Sequence, residues 1–330
     1  MDKLIDHFGR QITYVRLAIT DRCNLRCQYC MPAQGLDIVA RKKLLTYKEM
    51  YRIIRILTEL GVNKVRLTGG EPFVRKDFMP FLEMLSFNDL LEDINITTNG
   101  VLISNHIKAL EQLKKVKNIN LSIDSLQPDK FNQITRRKVF NKVYKTLELL
   151  EKSRLHLKLN IVIQPDVNTN EIIDFVALTK NKNIAVRFIE EMPFNGKGER
   201  KITEVWDFKK ILEKIQTQFN ITPIVSEKSS TSRNFSIDNH QGTVGIIPAF
   251  TRTICGDCNR IRITSTGMLK NCLFDDGVFN LRDFLRNGAS NDALKNIFLS
   301  IVKEKPKNGF IAEANRKEGG ISESMSTIGG

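Results

Sequence analysis

Six short β-rich runs recur along the first 190 residues, with helical patterns between them: 14–19, 64–68, 93–98, 118–124, 157–164 and 184–189. The helix after Thr46 is the plainest. Thr46 can cap it and Glu49 stands three residues on, a capping box. Met50, Ile53, Ile54, Leu57 and Leu60 then form one apolar stripe, and Gly61 can end it in a left-handed turn. Further helices are predicted over 104–115, 141–152, 170–180 and 206–218. Alternating strand and helix predicts an α/β fold with a parallel sheet and right-handed crossovers. Six such units suit either a partial barrel or a doubly wound sheet, and in both the chemistry gathers at the C-terminal strand ends.

The candidate motifs of this chain stand at those ends. Three cysteines follow the first run, Gly69-Gly70-Glu71-Pro72 the second and Thr97-Thr98-Asn99-Gly100 the third. Ser122-Ile123-Asp124 ends the fourth and Glu190-Glu191-Met192-Pro193 follows the sixth. The Ser-rich stretch 226–234 reads as a linker, so a barrel is expected over 1–225 and a second region over 226–330.

The charge balance of 51 basic and 37 acidic residues, net +14, suits nucleic acid, an anionic membrane surface or an acidic small substrate. The densest basic group is Arg136, Arg137, Lys138, Lys142 and Lys145, whose default reading is a solvated helical face. No run of 18 apolar residues is present, and the first ten residues lack a signal-peptide pattern, so a cytoplasmic protein is expected. The six cysteines form two groups: Cys23, Cys27 and Cys30, and Cys255, Cys258 and Cys272. Clustered thiols in a cytosolic chain point to metal rather than disulfides.

Cys23, Cys27 and Cys30 have the spacing C-x3-C-x2-C. Three thiolates can hold three irons of a [4Fe–4S] cube and leave the fourth open to a small molecule. Structural zinc fits less well, because it wants four ligands and no fourth stands nearby. Cys255, Cys258 and Cys272 give C-x2-C-x13-C, where cluster and zinc are about equally matched on the thiols alone. Arg260 and Arg262 follow at i and i+2 and point the same way on an extended segment, as suits an anionic ligand.

The first trio, with Tyr29 just before its last thiol, resembles the radical S-adenosylmethionine signature. The whole chain is similar to the GTP 3′,8-cyclases of molybdenum cofactor biosynthesis. The similarity runs through Asp21-Arg22-Cys23-Asn24, Cys30-Met31-Pro32, Arg66-Leu67-Thr68-Gly69-Gly70-Glu71-Pro72 and Thr97-Thr98-Asn99-Gly100. It continues in Arg187-Phe188-Ile189-Glu190, Cys258-Asn259-Arg260-Ile261-Arg262-Ile263-Thr264, Cys272-Leu273-Phe274 and the closing Gly329-Gly330.

The resemblance implies an incomplete (βα)6 barrel closed by a C-terminal region with the second cluster. It implies two [4Fe–4S] clusters and S-adenosylmethionine as cofactors. The reaction implied is a radical rearrangement of GTP to (8S)-3′,8-cyclo-7,8-dihydroguanosine 5′-triphosphate, joining ribose C3′ to guanine C8. By the same resemblance Cys23, Cys27 and Cys30 hold the S-adenosylmethionine cluster and Cys255, Cys258 and Cys272 the second. Tyr29, Gly70, Ser122 and Met192 surround S-adenosylmethionine. Arg16, Arg66, Thr97, Lys158, Arg260 and Arg262 contact GTP, with Lys64 and Arg187 nearby; Arg16, Gly329 and Gly330 carry catalytic roles. Partners implied are an electron donor such as flavodoxin or ferredoxin and a second copy in a homodimer, with no nucleic acid and no membrane. Two rivals stand beside this reading. A peptide-modifying two-cluster enzyme would carry a Cys-rich extension and a full fourth ligand. A basic zinc protein binding nucleic acid would interleave aromatics with its basic face.

Overall fold

The computed structural model describes residues 2–37, 39–198, 200–202, 204–317 and 321–329. One twelve-stranded sheet organises them. Its strands are β1 (Tyr14–Ala18), β2 (Lys64–Thr68), β3 (Asp93–Thr98), β4 (Val116–Ser122), β5 (His156–Ile163), β6 (Ala185–Glu190), β7 (Ile221–Ile224), β8 (Arg233–Ile237), β9 (Thr243–Ile247), β10 (Arg260–Ile263), β11 (Met268–Lys270) and β12 (Phe279–Asn280). The spatial order is β12-β11-β10-β1-β2-β3-β4-β5-β6-β9-β8-β7. All six expected strands are present, and β1 to β6 run parallel to their neighbours. The sheet does not close between β12 and β7, so the barrel is incomplete.

The helices are α1 (Tyr47–Glu59), α2 (Phe78–Ser86), α3 (Ile107–Gln112), α4 (Pro128–Thr135), α5 (Phe140–Glu151), α6 (Ile172–Ala177), α7 (Phe208–Gln216), α8 (Leu281–Arg286), α9 (Asn291–Lys303), α10 (Gly309–Ala314) and α11 (Met325–Ile328). In α1 the capping box forms as expected: the Glu49 amide donates to Thr46 Oγ1 at 3.2 Å, and the Thr46 amide donates to the Glu49 carboxylate at 2.6 Å. The stripe Met50, Ile53, Ile54 and Leu57 is fully buried. Each such side chain contributes roughly 1.5–3 kcal/mol by leaving water. The helix expected over 104–115 is shorter, because Ile103–His106 is a 3-10 turn and α3 stops at Gln112.

Residues beyond 225 extend the same sheet on both sides. Strand β9 lies parallel to β6, and β10 lies parallel to β1 in the register Arg16↔Arg262. The stretch expected as a linker instead connects antiparallel β7 and β8, with Ile224 opposite Asn234. Its serines close that connection: the Ser232 amide donates to Ser230 Oγ, and Asn234 Nδ2 donates to Ser226 Oγ. Serine enrichment therefore marks side chain–backbone turn chemistry here.

Strand alternation divides the sheet into an apolar outer face and a polar inner one. Val15 and Leu17 are buried in the main core, whereas Tyr14 and Arg16 face the interior beside Arg66, Arg260 and Arg262.

Candidate active site

The loop carrying the first cysteines is fastened on two sides. Within it, the Cys30 and Met31 amides donate to the Cys27 carbonyl at 2.9 and 3.0 Å. Arg26 and Gln28 amides donate to the carbonyls at the end of α4, those of Thr135 and Ile134, each at 3.0 Å. Arg136, the left-handed residue after α4, returns its guanidinium to the carbonyls of Arg26 and Met31, each at 3.1 Å. Sequence reading placed Arg136 in a solvated basic group. Its role here is to hold the cysteine loop, while Arg137, Lys138, Lys142 and Lys145 are exposed as expected.

The ends of β2 and β3 meet the same loop. Gly69 has φ +133°, and a side chain there would come within 2.3 Å of the Thr20 carbonyl. At Gly70 a Cβ would stand 2.1 Å from the Arg22 carbonyl. The close approach that requires these glycines is therefore to the chain's own 20–22 segment. Glu71, fully buried, accepts from Thr98 Oγ1 at 2.8 Å and the Asn99 amide at 2.7 Å. Burial pushes its carboxyl up to about 7 even against those bonds. Asn99 in turn donates to Cys23 Sγ at 3.6 Å.

Two adjoining chambers result. The first is lined by Cys23, Cys27, Cys30, Tyr29, Gly70, Thr97, Ser122, Asp124 and Met192. The second is lined by Cys255, Cys258, Cys272, Arg16, Arg66, Arg187, Arg260 and Arg262. Asn160, Ile189, Met192 and Met325 belong to both walls. Sequence reading grouped Thr97 with the arginines, but the structure sets it in the first chamber. Lys158 lines neither chamber. It is half-buried, and the charges of Arg187, Arg66 and Lys64 act on it.

The second chamber concentrates uncompensated cations. Arg16, Arg66, Arg187 and Arg260 make no ion pair among the described residues. The Nε atoms of Arg16, Arg66 and Arg187 are buried with no hydrogen-bond partner, as are Thr97 Oγ1, Asn120 Oδ1 and Asn160 Oδ1. Burial and then the Arg262 charge hold Arg16 well below its ordinary value. Burial and Arg66 bring Arg187 down to about 10; burial and Arg260 do the same to Arg262. Lys158 is brought to about 7 by burial, Arg187 and Arg66. Buried donors without acceptors are costly, so this cavity is built for a polyanion.

The two thiol groups differ in their electrostatics. Burial raises Cys23 to about 12 and also raises Cys27 and Cys30. Cys258 falls to about 5, because Lys305 and Arg260 outweigh its burial. No three His, Cys, Asp or Glu side chains among the described residues converge on one point as a single ion would require. A cube seats three ligand thiolates on three separate irons, whereas a closed structural zinc site wants four ligands on one ion, so trios of thiols suit clusters better.

The C-terminal segment enters between the chambers. Ser324 Oγ donates to the Cys30 carbonyl at 2.7 Å and caps α11 through the Ser326 amide. The Gly329 carbonyl accepts from Arg262 Nη1. Gly330 lies outside the described residues. Sequence reading named Asp124 as a strand-end residue but gave it no role; it accepts from Tyr29 Oη at 2.9 Å, and burial pushes it to about 6. Sequence reading also missed the loop-setting bonds of Glu190, which accepts from the Phe208, Phe250 and Thr251 amides at 2.7–2.8 Å. Both residues sit at ends of the expected strands, a signal that marks their place but not their partners.

Comparison with known proteins matches this geometry. A profile described as the Radical SAM superfamily matches residues 17–179, and one described as Molybdenum Cofactor Synthesis C matches residues 184–311. The GTP 3′,8-cyclase of Geobacter sulfurreducens is 39% identical over 99% of this chain and 100% of its own length. The chain belongs to the GTP 3′,8-cyclase family. The mitochondrial GTP 3′,8-cyclase of Arabidopsis thaliana is 42% identical, over 92% of this chain and 78% of its own. The chain spans about half the length of molybdenum cofactor biosynthesis protein 1 from Homo sapiens (48%) and Dictyostelium discoideum (48%). Among solved structures, Streptococcus suis SuiB superposes with a TM-score of 0.63 at 15% identity, covering 94% of this chain and 70% of that one, a likeness of fold. No helix among the described residues is long and apolar enough to cross a membrane.

Proposed function

We propose that this chain is a GTP 3′,8-cyclase that converts GTP to (8S)-3′,8-cyclo-7,8-dihydroguanosine 5′-triphosphate, the first step of molybdenum cofactor biosynthesis. The observation that carries the reading is the set of arginines on β1, β2 and β6 whose buried Nε atoms lack a partner, facing a second trio of thiols. A triphosphate supplies the acceptors those guanidinium groups lack.

Cys23, Cys27 and Cys30 would hold one [4Fe–4S] cluster, and Cys255, Cys258 and Cys272 the other. The first cluster with S-adenosylmethionine supplies a carbon radical when reduced by one electron. Tyr29, Gly70, Ser122 and Met192 would surround S-adenosylmethionine in the first chamber. Arg16, Arg66, Arg187, Arg260 and Arg262 would orient GTP in the second, with Lys158 adding to the same positive field. The shared wall of Asn160, Ile189, Met192 and Met325 would set the reacting atoms close together and exclude water. Gly329 would finish that wall on the side of Arg262, and a catalytic role for Gly330 rests on the family resemblance alone.

The division of labour runs between 1–225, which brings the first thiols, and 226–330, which brings the second and the tail. Flavodoxin or ferredoxin would deliver the electron, in the cytoplasm, and the family habit of homodimerisation is tested by sedimentation. The deciding experiment is anaerobic reconstitution followed by GTP, S-adenosylmethionine and a reductant. The reading expects about eight irons per chain, 5′-deoxyadenosine and the cyclised nucleotide. Untouched GTP beside a consumed peptide or other nucleotide would overturn it.

A further inference from the structure

A lysine stands beside the second thiol trio with no carboxylate in ion-pair contact among the described residues. Lys305 follows α9, its amide donating to the Val302 carbonyl at 3.0 Å, and only 3% of the residue is exposed. Its ammonium donates to the Arg260 carbonyl at 2.8 Å and to the Asn271 carbonyl. These two carbonyls belong to the two ligand segments: Arg260 lies two residues after Cys258, and Asn271 directly precedes Cys272. Asn271 answers by donating to the Ile301 carbonyl at 2.7 Å, so helix end and cysteine loop are bolted together.

Lys305 makes no ion pair among the described residues. The neighbouring cations are otherwise engaged: Lys270 pairs with Glu323 at 2.7 Å, and Arg260 donates to Cys258. Asp275 feels the Lys305 charge, but its oxygens accept from the Cys272 and Gly277 amides at 2.7 and 2.9 Å. A buried ammonium on carbonyls alone is expensive, and it persists where a neighbouring anion compensates it. A cube held by three thiolates is such an anion, and the Lys305 ammonium sits on the carbonyls of both segments that carry its ligands.

We propose that Lys305 is the built-in counter-cation of the second cluster, a positioning residue that joins its ligand segments and makes that cluster easier to assemble and to reduce. The inference rests on reading Cys255, Cys258 and Cys272 as cluster ligands.

The test compares full-length wild type with Lys305→Met and Lys305→Gln after anaerobic reconstitution. Lys305→Gln retains donors without the charge. Iron per chain is counted, and each cluster's midpoint potential is read by redox-titrated electron paramagnetic resonance, the first cluster serving as internal control. The expected result is a roughly tenfold loss in the reduction equilibrium of the second cluster alone, a shift of about 59 mV for one electron. A loss of iron confined to the second site would support it equally. Wild-type potential and iron in both variants would overturn it, as would equal loss of both clusters in both, which marks a role in folding only. If wild type itself takes up only about four irons, the cluster reading fails instead, so the two failures are distinguishable.

Discussion

Arg16 and Arg262 are register partners on neighbouring parallel strands, β1 and β10. Two guanidinium groups are thus held side by side by backbone hydrogen bonds although 246 positions separate them, and neither makes an ion pair among the described residues. The arrangement spends stability on a binding field. Replacing Arg16 with methionine should therefore weaken GTP binding about a hundredfold, charged hydrogen bonds being worth roughly 1.5–3 kcal/mol each. The melting temperature of the ligand-free protein should hold or rise. Calorimetry and thermal denaturation of the same preparation read both; a variant that melts earlier and binds normally would contradict the assignment.

Lys158 makes binding pH-dependent. Its ammonium is brought to about 7, so the free site loses that charge as pH rises through neutrality. A triphosphate raises it again, so binding takes up a proton. Apparent affinity for GTP should fall between pH 6.5 and 8.5 in the wild type beyond what GTP's own ionisation explains. In Lys158→Met that extra slope should vanish. Calorimetry in two buffers of different ionisation enthalpy counts the protons. The sign for stability is opposite: with a lowered value in the folded state, the ligand-free protein gains stability as pH rises from about 7 toward the ordinary lysine range.

Ser324 joins the tail to the first cysteine loop. Its hydroxyl donates to the Cys30 carbonyl and caps α11. Ser324→Ala should cost about 1 kcal/mol, and that loss is local. Limited proteolysis should cut the tail roughly fivefold faster, since 1 kcal/mol is about that factor in population, with little change in global melting.

Gly329 lies at φ +78°, and a Cβ there would come within 2.7 Å of Thr68 Cγ2. Gly329→Ala should displace the carbonyl that Arg262 holds. Strain of about 1–2 kcal/mol predicts a turnover loss of roughly five- to thirtyfold at unchanged iron content. Wild-type turnover in this variant would show that the tail's path is unimportant.

Glu190→Gln should lose about 2–3 kcal/mol, because a buried carboxylate accepting three amides becomes a group that accepts through one oxygen only. Two of those amides, Phe250 and Thr251, begin the loop toward Cys255, so the second cluster should be the first casualty, read as its iron and spectrum.

The repeating strand–helix pattern revealed all six central strands within a few residues, because period-two and period-3.6 patterns are local. Arg16 and Lys158 were legible as interior cations for the same reason: each interrupts an otherwise apolar alternation. Pairing of β10 with β1 was not, since nothing near Arg260 in the chain records what lies beside it in space. Arg136 and Lys305 escaped for a related cause. Their importance comes from carbonyls more than thirty positions away, and surface lysines and arginines are the common case. Thr97 was placed on its strand, but which chamber wall it joins depends on barrel stagger rather than sequence.

The flanking of β1 by β10 and of β6 by β9 has a consequence for biosynthesis of the chain itself. While the ribosome is still translating, the six-stranded portion exposes two raw parallel borders that await residues 243–263. Such borders invite pairing with other nascent chains. The interval before the last third emerges is therefore when this protein is most vulnerable to aggregation, and slowing translation there should lower its soluble yield.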